Sequence, residues 1–466
     1  MGYHMRWCSF VSGHGLMQLS SMSKISKACR SRWNTKIYFD RLYFRLFSVD
    51  HKPVTRCALL LLICIIHSIG GAHSASAQVT TEEWLAQDNA TGNWGDLRDR
   101  LNQAGIDPEL NFTTDLLANP IGGMRQNGAY AGLWYGSTTF DLEKLAGLKG
   151  LEFYVGAAWA QGRDLSGDDV GNFFGVAQVF NGRVLRLADV YLQQSLFEDR
   201  LTASIGRLVA GNAFAAADAY GNYVNAAVNG NPTGILANVP SFTTSPFSQW
   251  GAQVTVAPTQ EFYVSAGIYN ADADVQEDAY HGLDFTFNPQ DGVLGVVEVG
   301  YKPNSPAIFN GMPGQYSFGA YFDTTDYQFL NNPQRSRSEN YGIYAIAQQM
   351  VYQESAGSDE GLTLWGTLTV NPDSEINTAP VTVVGGAIYE GLLPQRPKAA
   401  TAIGIAYASF SDDLPGQTYE LALEANHRFQ VGEWIYFQPT VQYIINPNGG
   451  GIPDALVAGA EISIDF

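Results

Sequence analysis

Residues 458–466 read AGAEISIDF. On an extended chain successive side chains point to opposite faces, so Ala458, Ala460, Ile462, Ile464 and Phe466 share one side and Gly459, Glu461, Ser463 and Asp465 the other. Such an apolar face leaves water in one of two ways: into a protein core, or, where the sheet closes on itself, into the hydrocarbon of a membrane. The choice depends on whether the alternation continues along the chain.

It does continue. From Glu109 onward sixteen runs of roughly 8–14 residues with period two alternate with turn residues, among them EFYVSAGIYNA (Glu261–Ala271) and EGLTLWGTLTV (Glu360–Val370). Taking the first run as outward-going, the turns FED (Phe197–Asp199), PT (Pro258–Thr259) and QVG (Gln430–Gly432) fall at inner positions. The longest connections, 162–181, 210–248 and 271–291, fall at outer ones. Outer-membrane barrels join their strands in this unequal way. KPNSPAIFNGMP (Lys302–Pro313) is a long inner connection and departs from the rule.

After Ala77 no run reaches the ~20 apolar residues of a membrane-crossing helix. The expected fold is all-β: a 16-stranded antiparallel transmembrane β-barrel over residues 108–466, with a short N-terminal periplasmic helix in residues 78–107. Trp134, Tyr154, Trp250, Tyr301 and Trp434, near strand ends, are expected in the two interfacial aromatic girdles. An aromatic at the last position, Phe466, resembles the signal by which bacterial outer-membrane barrels engage their assembly machinery.

Residues 1–77 differ from the remainder. They carry 10 of the 26 Lys and Arg and only Asp40 and Asp50 as acids, followed by the apolar run CALLLLICIIHSIGG (Cys57–Gly71). Lys52 and Arg56 before that run and Ala75-Ser76-Ala77 behind it fit a signal peptide, with cleavage expected after Ala77. The stretch ahead of Lys52 is long for such a peptide and reads as an over-extended start. Beyond the cleavage point, NWGDLRDRLNQAG (Asn93–Gly105) predicts the helix, with Asn93 as N-cap, Trp94, Leu97, Leu101 and Ala104 on one face and Gly105 as its stop.

All four cysteines, Cys8, Cys29, Cys57 and Cys64, precede the cleavage point, so the exported chain has no disulfide, thiol chemistry or Cys-held metal. Removing 10 basic and 2 acidic residues from totals of 26 and 45 leaves 16 and 43, a balance of −27. A chain this acidic lacks the Lys and Arg clusters that phosphate binding requires, which excludes nucleic acid as a partner. Of the histidines only His281 and His427 survive export, and neither sits in a pattern for a nucleophile, base and acid. No catalytic residue, cofactor or metal is expected.

Four segments carry a family resemblance: GNWGDLRDRLNQAGI (Gly92–Ile106), DLLANPIGGMRQ (Asp115–Gln126), LADVYLQQSLFEDRLTASIGRL (Leu187–Leu208) and WGAQVTVAPTQEFYVSAGIYNAD (Trp250–Asp272). They resemble the carbohydrate-selective porin family, OprB, from about Trp94 to Phe466, without a preceding surface-layer homology domain. The resemblance implies a sixteen-stranded barrel passing sugars by passive diffusion, its long loops folded inward, with arginines and acidic partners at a constriction.

A diffusion pore needs a width and a lining that trades hydrogen bonds with a solute shedding water. Sugars present hydroxyls on their edges and C–H patches on their faces, which favours a lining of charged, amide and aromatic groups. Arg207, in the family-like IGRL beside the longest loop, is the preferred constriction residue. Arg163 opens an acidic loop, and Arg183 and Arg186 precede Asp189. Strict alternation puts Arg186 on the face of Val190 and Leu192, at an outward or rim position. The nearly uncharged loop 210–248 is long enough to have a function, and is expected to enter the barrel and present Tyr220, Tyr223, Asn229 or Asn231 to solute. The bland reading of each arginine is a salt bridge to nearby carboxylates or to lipid phosphate.

DLSGDD (Asp164–Asp169) and DADVQED (Asp272–Asp278) loosely resemble calcium loops but lack the full twelve-residue pattern, and equally fit loop tips bridged to lipopolysaccharide by divalent cations. The expected function is an outer-membrane porin for monosaccharides or small oligosaccharides. Its partners would be carbohydrate solutes, outer-membrane lipid and lipopolysaccharide, and the barrel-assembly machinery. A general or anion-leaning diffusion porin and a secreted β-sandwich carbohydrate-binding protein remain open alternatives.

Overall fold

The computed structural model of the chain describes residues 80–303, 309–392 and 399–466. The predicted leader and its cleavage point after Ala77 lie outside them. Sixteen antiparallel strands run in order: β1 (Ile106–Ile121), β2 (Gly128–Asp141), β3 (Leu151–Gly162), β4 (Leu185–Leu196), β5 (Leu201–Leu208), β6 (Gln249–Val256), β7 (Phe262–Asn270), β8 (Val293–Tyr301), β9 (Gly314–Phe329), β10 (Asn332–Gln353), β11 (Gly361–Val370), β12 (Val381–Glu390), β13 (Ala400–Ser409), β14 (Tyr419–Gly432), β15 (Ile435–Ile445) and β16 (Ala455–Asp465). Each pairs with its neighbours in sequence, and β1 pairs with β16 to close the barrel. The stretch 458–466 therefore forms the seam, with Glu461 opposite Asp115 and Asp465 opposite Asn111.

The two faces of the wall part as the alternation requires. Ile205 and Ile403 are 62% and 63% exposed on the outside, while Glu461, Gln438 and Gln442 are buried within. Hydrocarbon covers the first set, and closure leaves no strand edge bare in a solvent that cannot hydrogen-bond. Among the described residues no helix is long and apolar enough to cross a membrane.

Residues 80–105 form a short segment at the inner ends of the strands. Helix α1 (Thr81–Leu85) starts with a reciprocal capping box between Thr80 and Glu83. Trp84 packs against Trp434 with ring centres 4.4 Å apart and planes tilted by 55°, and the Trp434 indole donates to Trp84 O (2.9 Å), tying α1 to the β14–β15 turn. Helix α2 (Leu97–Ala104) ends where predicted, at Gly105 with φ +90°. It starts four residues past Asn93, because Trp94, Gly95 and Asp96 turn through left-handed conformations first. Asn93 keeps a capping contact, accepting from Asp99 N (3.1 Å). Arg98 of α2 donates to the terminal Phe466 O (2.5 Å), and Phe466 stacks on Trp134 at 5.3 Å.

Tyr154 and Trp434 depart from the girdle expectation. Trp434 is covered by Trp84, and Tyr154 shares its face with the buried Gly156 and Ala158 and points into the lumen. In β4 the register skips Ala188: Asp189 opposes Gly156, Leu187 opposes Ala157 and Arg186 opposes Ala158. This bulge rotates Arg186 away from the Val190 and Leu192 face and onto the inner face with Asp189.

An arginine on the outer face must leave hydrocarbon. Ile205→Arg is expected to lower unfolding free energy in phospholipid vesicles by about 2–4 kcal/mol. The inward Gln193→Arg should cost much less, as measured by urea titration of gel mobility.

Candidate functional site

The lumen is defined by which part of its wall is covered. Two outer connections turn inward, residues 163–184 between β3 and β4 and residues 209–248 between β5 and β6. Phe174, Val176, Phe214, Tyr223, Val224, Ile235 and Phe242 from them form one apolar cluster with inward side chains of β10–β14 such as Tyr344, Trp365, Val384 and Ala406. On this sector the wall is apolar inside as well as outside. Its inward residues are small, Ala400, Ala402, Ala406 and Ala408 along β13, which leaves the loop room to pack.

Tyr223 shows how close the approach is. A methyl group on Gly386 would lie 2.4 Å from its hydroxyl, and one on Gly404 would lie 3.0 Å from its ring. The two glycines form a niche that any side chain would fill.

The loop backbones carry polar groups into this packed interior, and the wall supplies their partners. Glu424 of β14 accepts from Val224 N and Asn225 N (both 2.9 Å) and from Asn426 and Thr440. Glu420, two inward steps above, accepts from Phe173 N (2.7 Å), Phe174 N (2.8 Å) and Asn448 N (2.6 Å). Glu298 of β8 accepts from Ala215 N (3.0 Å) and from the Tyr263 and Tyr344 hydroxyls. The three glutamates are not legible as such in the sequence. Glu420 and Glu424 do lie on the face of a strand opposite Leu421 and Leu423, which marks them as inward.

Of the residues predicted to meet solute, most hold the loops instead. Tyr220 bonds Thr367 (2.9 Å), and Tyr223 accepts from the Trp365 indole (2.9 Å). Asn229 donates to Tyr223 O, and Asn231 bridges Gly211 O (2.9 Å), Phe214 O (3.2 Å) and Ala215 O (3.1 Å). Arg186 is buried against the Phe247 ring and donates to Asp278 (2.7 Å) and Val275 O (3.2 Å). Arg207 is 3% exposed, donating to Asp284 O and to Ser248 O (2.6 Å) near the Phe285 ring. Both arginines thus clamp the β7–β8 connection, whose length the sequence showed but whose docking it did not. Arg183 donates to Gly162 O.

Arg163 stays partly exposed at the outer mouth. Arg163 is paired with Asp169, with Asp168 (3.4 Å) and with Gly128 O (3.1 Å). The Asp169 hydrogen bond is the main influence holding its guanidinium above its ordinary pKa. Arg125 also pairs with Asp169 (3.4 Å), so the first acidic motif neutralises arginines at the outer mouth. Asp189 faces inward on β4 but is buried, accepting from the Tyr135 hydroxyl (2.8 Å) rather than meeting solute.

Opposite the filled sector, the inner halves of β1–β4 keep half-buried inward side chains: Asn111, Thr113, Tyr135, Tyr154, Tyr191 and Gln193. Below them lies a cavity of about 450 Å³ bounded by Arg98 and Asn102 of α2 and by Glu109, Asn111, Tyr135 and Asp465.

A closed sixteen-stranded barrel with an apolar outside and inward-folded loops is an outer-membrane diffusion channel of the porin class. Residues 125–466 match the carbohydrate-selective porin, OprB family, and the chain belongs to that family. It is 28% identical to Porin B of Pseudomonas aeruginosa over 89% of this chain and 98% of that protein. It is 23% identical to the putative porin QuiX of Acinetobacter baylyi, over 85% and 98%. The high-pH structure of Pseudomonas putida OprB superposes with a TM-score of 0.76 at 26% identity, covering 82% of this chain and 99% of that one. The protein is accordingly an outer-membrane porin, a channel for carbohydrate diffusion.

Removing a loop anchor should widen the passage. Glu424→Ala leaves two loop N–H groups without their partner, at about 1–3 kcal/mol for each buried group left unsatisfied. Vesicle swelling with sugars of increasing size is expected to show a higher size cut-off and noisier single channels.

Proposed function

We propose that the solutes are monosaccharides and small oligosaccharides, and that they descend along the β1–β4 side of the lumen. They would enter past Arg163 and its aspartates and pass Tyr154 and Tyr191 to the cavity beside α2. What carries this reading is the contrast in burial between the two sectors of the wall. Tyr344, Trp365, Val384 and Glu424 are sealed under the loops, whereas Tyr135, Tyr154, Tyr191 and Gln193 are not. A polar, aromatic-bearing route suits solutes with hydroxyl edges and apolar faces.

The export and assembly steps belong to the same reading. The signal peptide is removed after Ala77, and Phe466 is read by the assembly machinery before its ring stacks on Trp134. The acidic outer loops meet lipopolysaccharide through divalent cations.

Single-channel recording in planar bilayers tests the route. Glucose should reduce ion conductance in a saturable way, and maltotriose should do so less. A decline with solute size and no saturation favours a general diffusion porin. Arg163→Ala is expected to shift the reversal potential toward cation preference, since one positive charge is lost at the mouth and Asp169 keeps only Arg125 beside it.

A further inference from the structure

Beyond the arginines, one inward arrangement stands unexplained by loop anchoring or by the seam. Tyr154 of β3 and Tyr191 of β4 are directly paired across the sheet, and their rings stack at 4.9 Å with planes 21° apart. Tyr135 of β2 closes the row, its hydroxyl 3.3 Å from that of Tyr154 and donating to Asp189 (2.8 Å). One inward step toward the inner rim, Gln193 donates to Glu152 (3.4 Å), the pair lying opposite each other in the same register. All three rings are half-buried rather than sealed, and none touches the inward loops through a hydrogen bond given above.

The backbone is shaped for this row. Gly156 sits on the same inward face, and a methyl group there would lie 2.7 Å from the Tyr135 hydroxyl and 3.3 Å from the Tyr154 ring. Glycine at that place allows the phenol to cross β3 and reach Asp189, so the row is held by a hydrogen bond at one end and by stacking at the other.

We propose that Tyr154 and Tyr191, flanked by the Glu152–Gln193 pair, form a stacking subsite for one neutral pyranose in the inner half of the barrel. The proposal rests on the carbohydrate reading above and deepens it. A pyranose offers a flat patch of C–H bonds that packs on an aromatic face, while its rim of hydroxyls meets acceptors and donors at the edge. Glu152 accepts from such hydroxyls and Gln193 does both. The carboxylate of Glu152 at the open edge repels a sugar acid, so the subsite separates neutral sugars from carboxylate-bearing ones.

The test uses the mature chain reconstituted in planar bilayers, with glucose and gluconate as probes and sugar-free conductance and heat-modifiable gel mobility as controls. Glucose block, taken relative to each variant's own sugar-free conductance, should weaken about three- to tenfold in Tyr154→Ala and Tyr191→Ala. Tyr154→Leu keeps the apolar bulk but lacks a π face, and should weaken block like the alanine; Tyr154→Phe should retain it. Gluconate should block less than glucose, and Glu152→Gln should narrow that gap. If glucose blocks the wild type and both the alanine and leucine variants equally, the subsite is wrong while the sugar pathway stands. Equal block by gluconate overturns the neutral-sugar assignment. Absence of glucose block in the wild type overturns the carbohydrate route itself, and the subsite with it.

Discussion

The interior of this barrel depends on carboxylates in the wall accepting hydrogen bonds from the backbones of loops folded into it. A chain segment brought into a packed lumen must satisfy its N–H groups, and the wall backbone, mostly paired between strands of the closed sheet, offers few partners. Glu298, Glu420 and Glu424 meet that requirement, each receiving several donors at once. An ionised acceptor forms stronger hydrogen bonds than a neutral one, and where donors converge its burial is compensated. Part of the chain's large acidic excess is therefore structural, and those carboxylates do not face solute.

The same requirement divides the lumen into two sectors. Where loops press on β10–β14 the wall offers alanine, glycine and aromatic side chains, and the result is a hydrophobic core inside a membrane barrel. Where they do not, the wall keeps tyrosines, amides and acids that remain accessible. The few arginines follow this division. Arg186 and Arg207 fasten the β7–β8 connection, and Arg125 and Arg163 offset the aspartates of the β3–β4 loop. A cation near a pore is thus not a solute contact by default; its alternatives are nearby carbonyls and carboxylates on other loops.

Much of the fold was legible because β-structure writes itself locally. Period-two runs, short turns on one side and long connections on the other, and the terminal strand that pairs with β1 all follow from residues close in sequence. Reading faces failed where one extra residue intervened. The bulge at Ala188 moved Arg186 across the wall, and a strict alternation count has no way to register an inserted residue. The aromatic at Tyr154 read as a membrane anchor, though its partners Gly156 and Ala158 are inward.

The sequence by itself determined a closed sheet with hydrocarbon outside and long outer loops, since each of these properties lies in neighbouring residues and their spacing. Only the tertiary structure decided that those loops fill one side of the lumen, which glutamates hold them and which tyrosines stay open. Those outcomes hang on contacts such as Val224 with Glu424, two hundred residues apart. No local pattern encodes such a contact, because it exists only once the sheet has closed and brought the two segments to one wall.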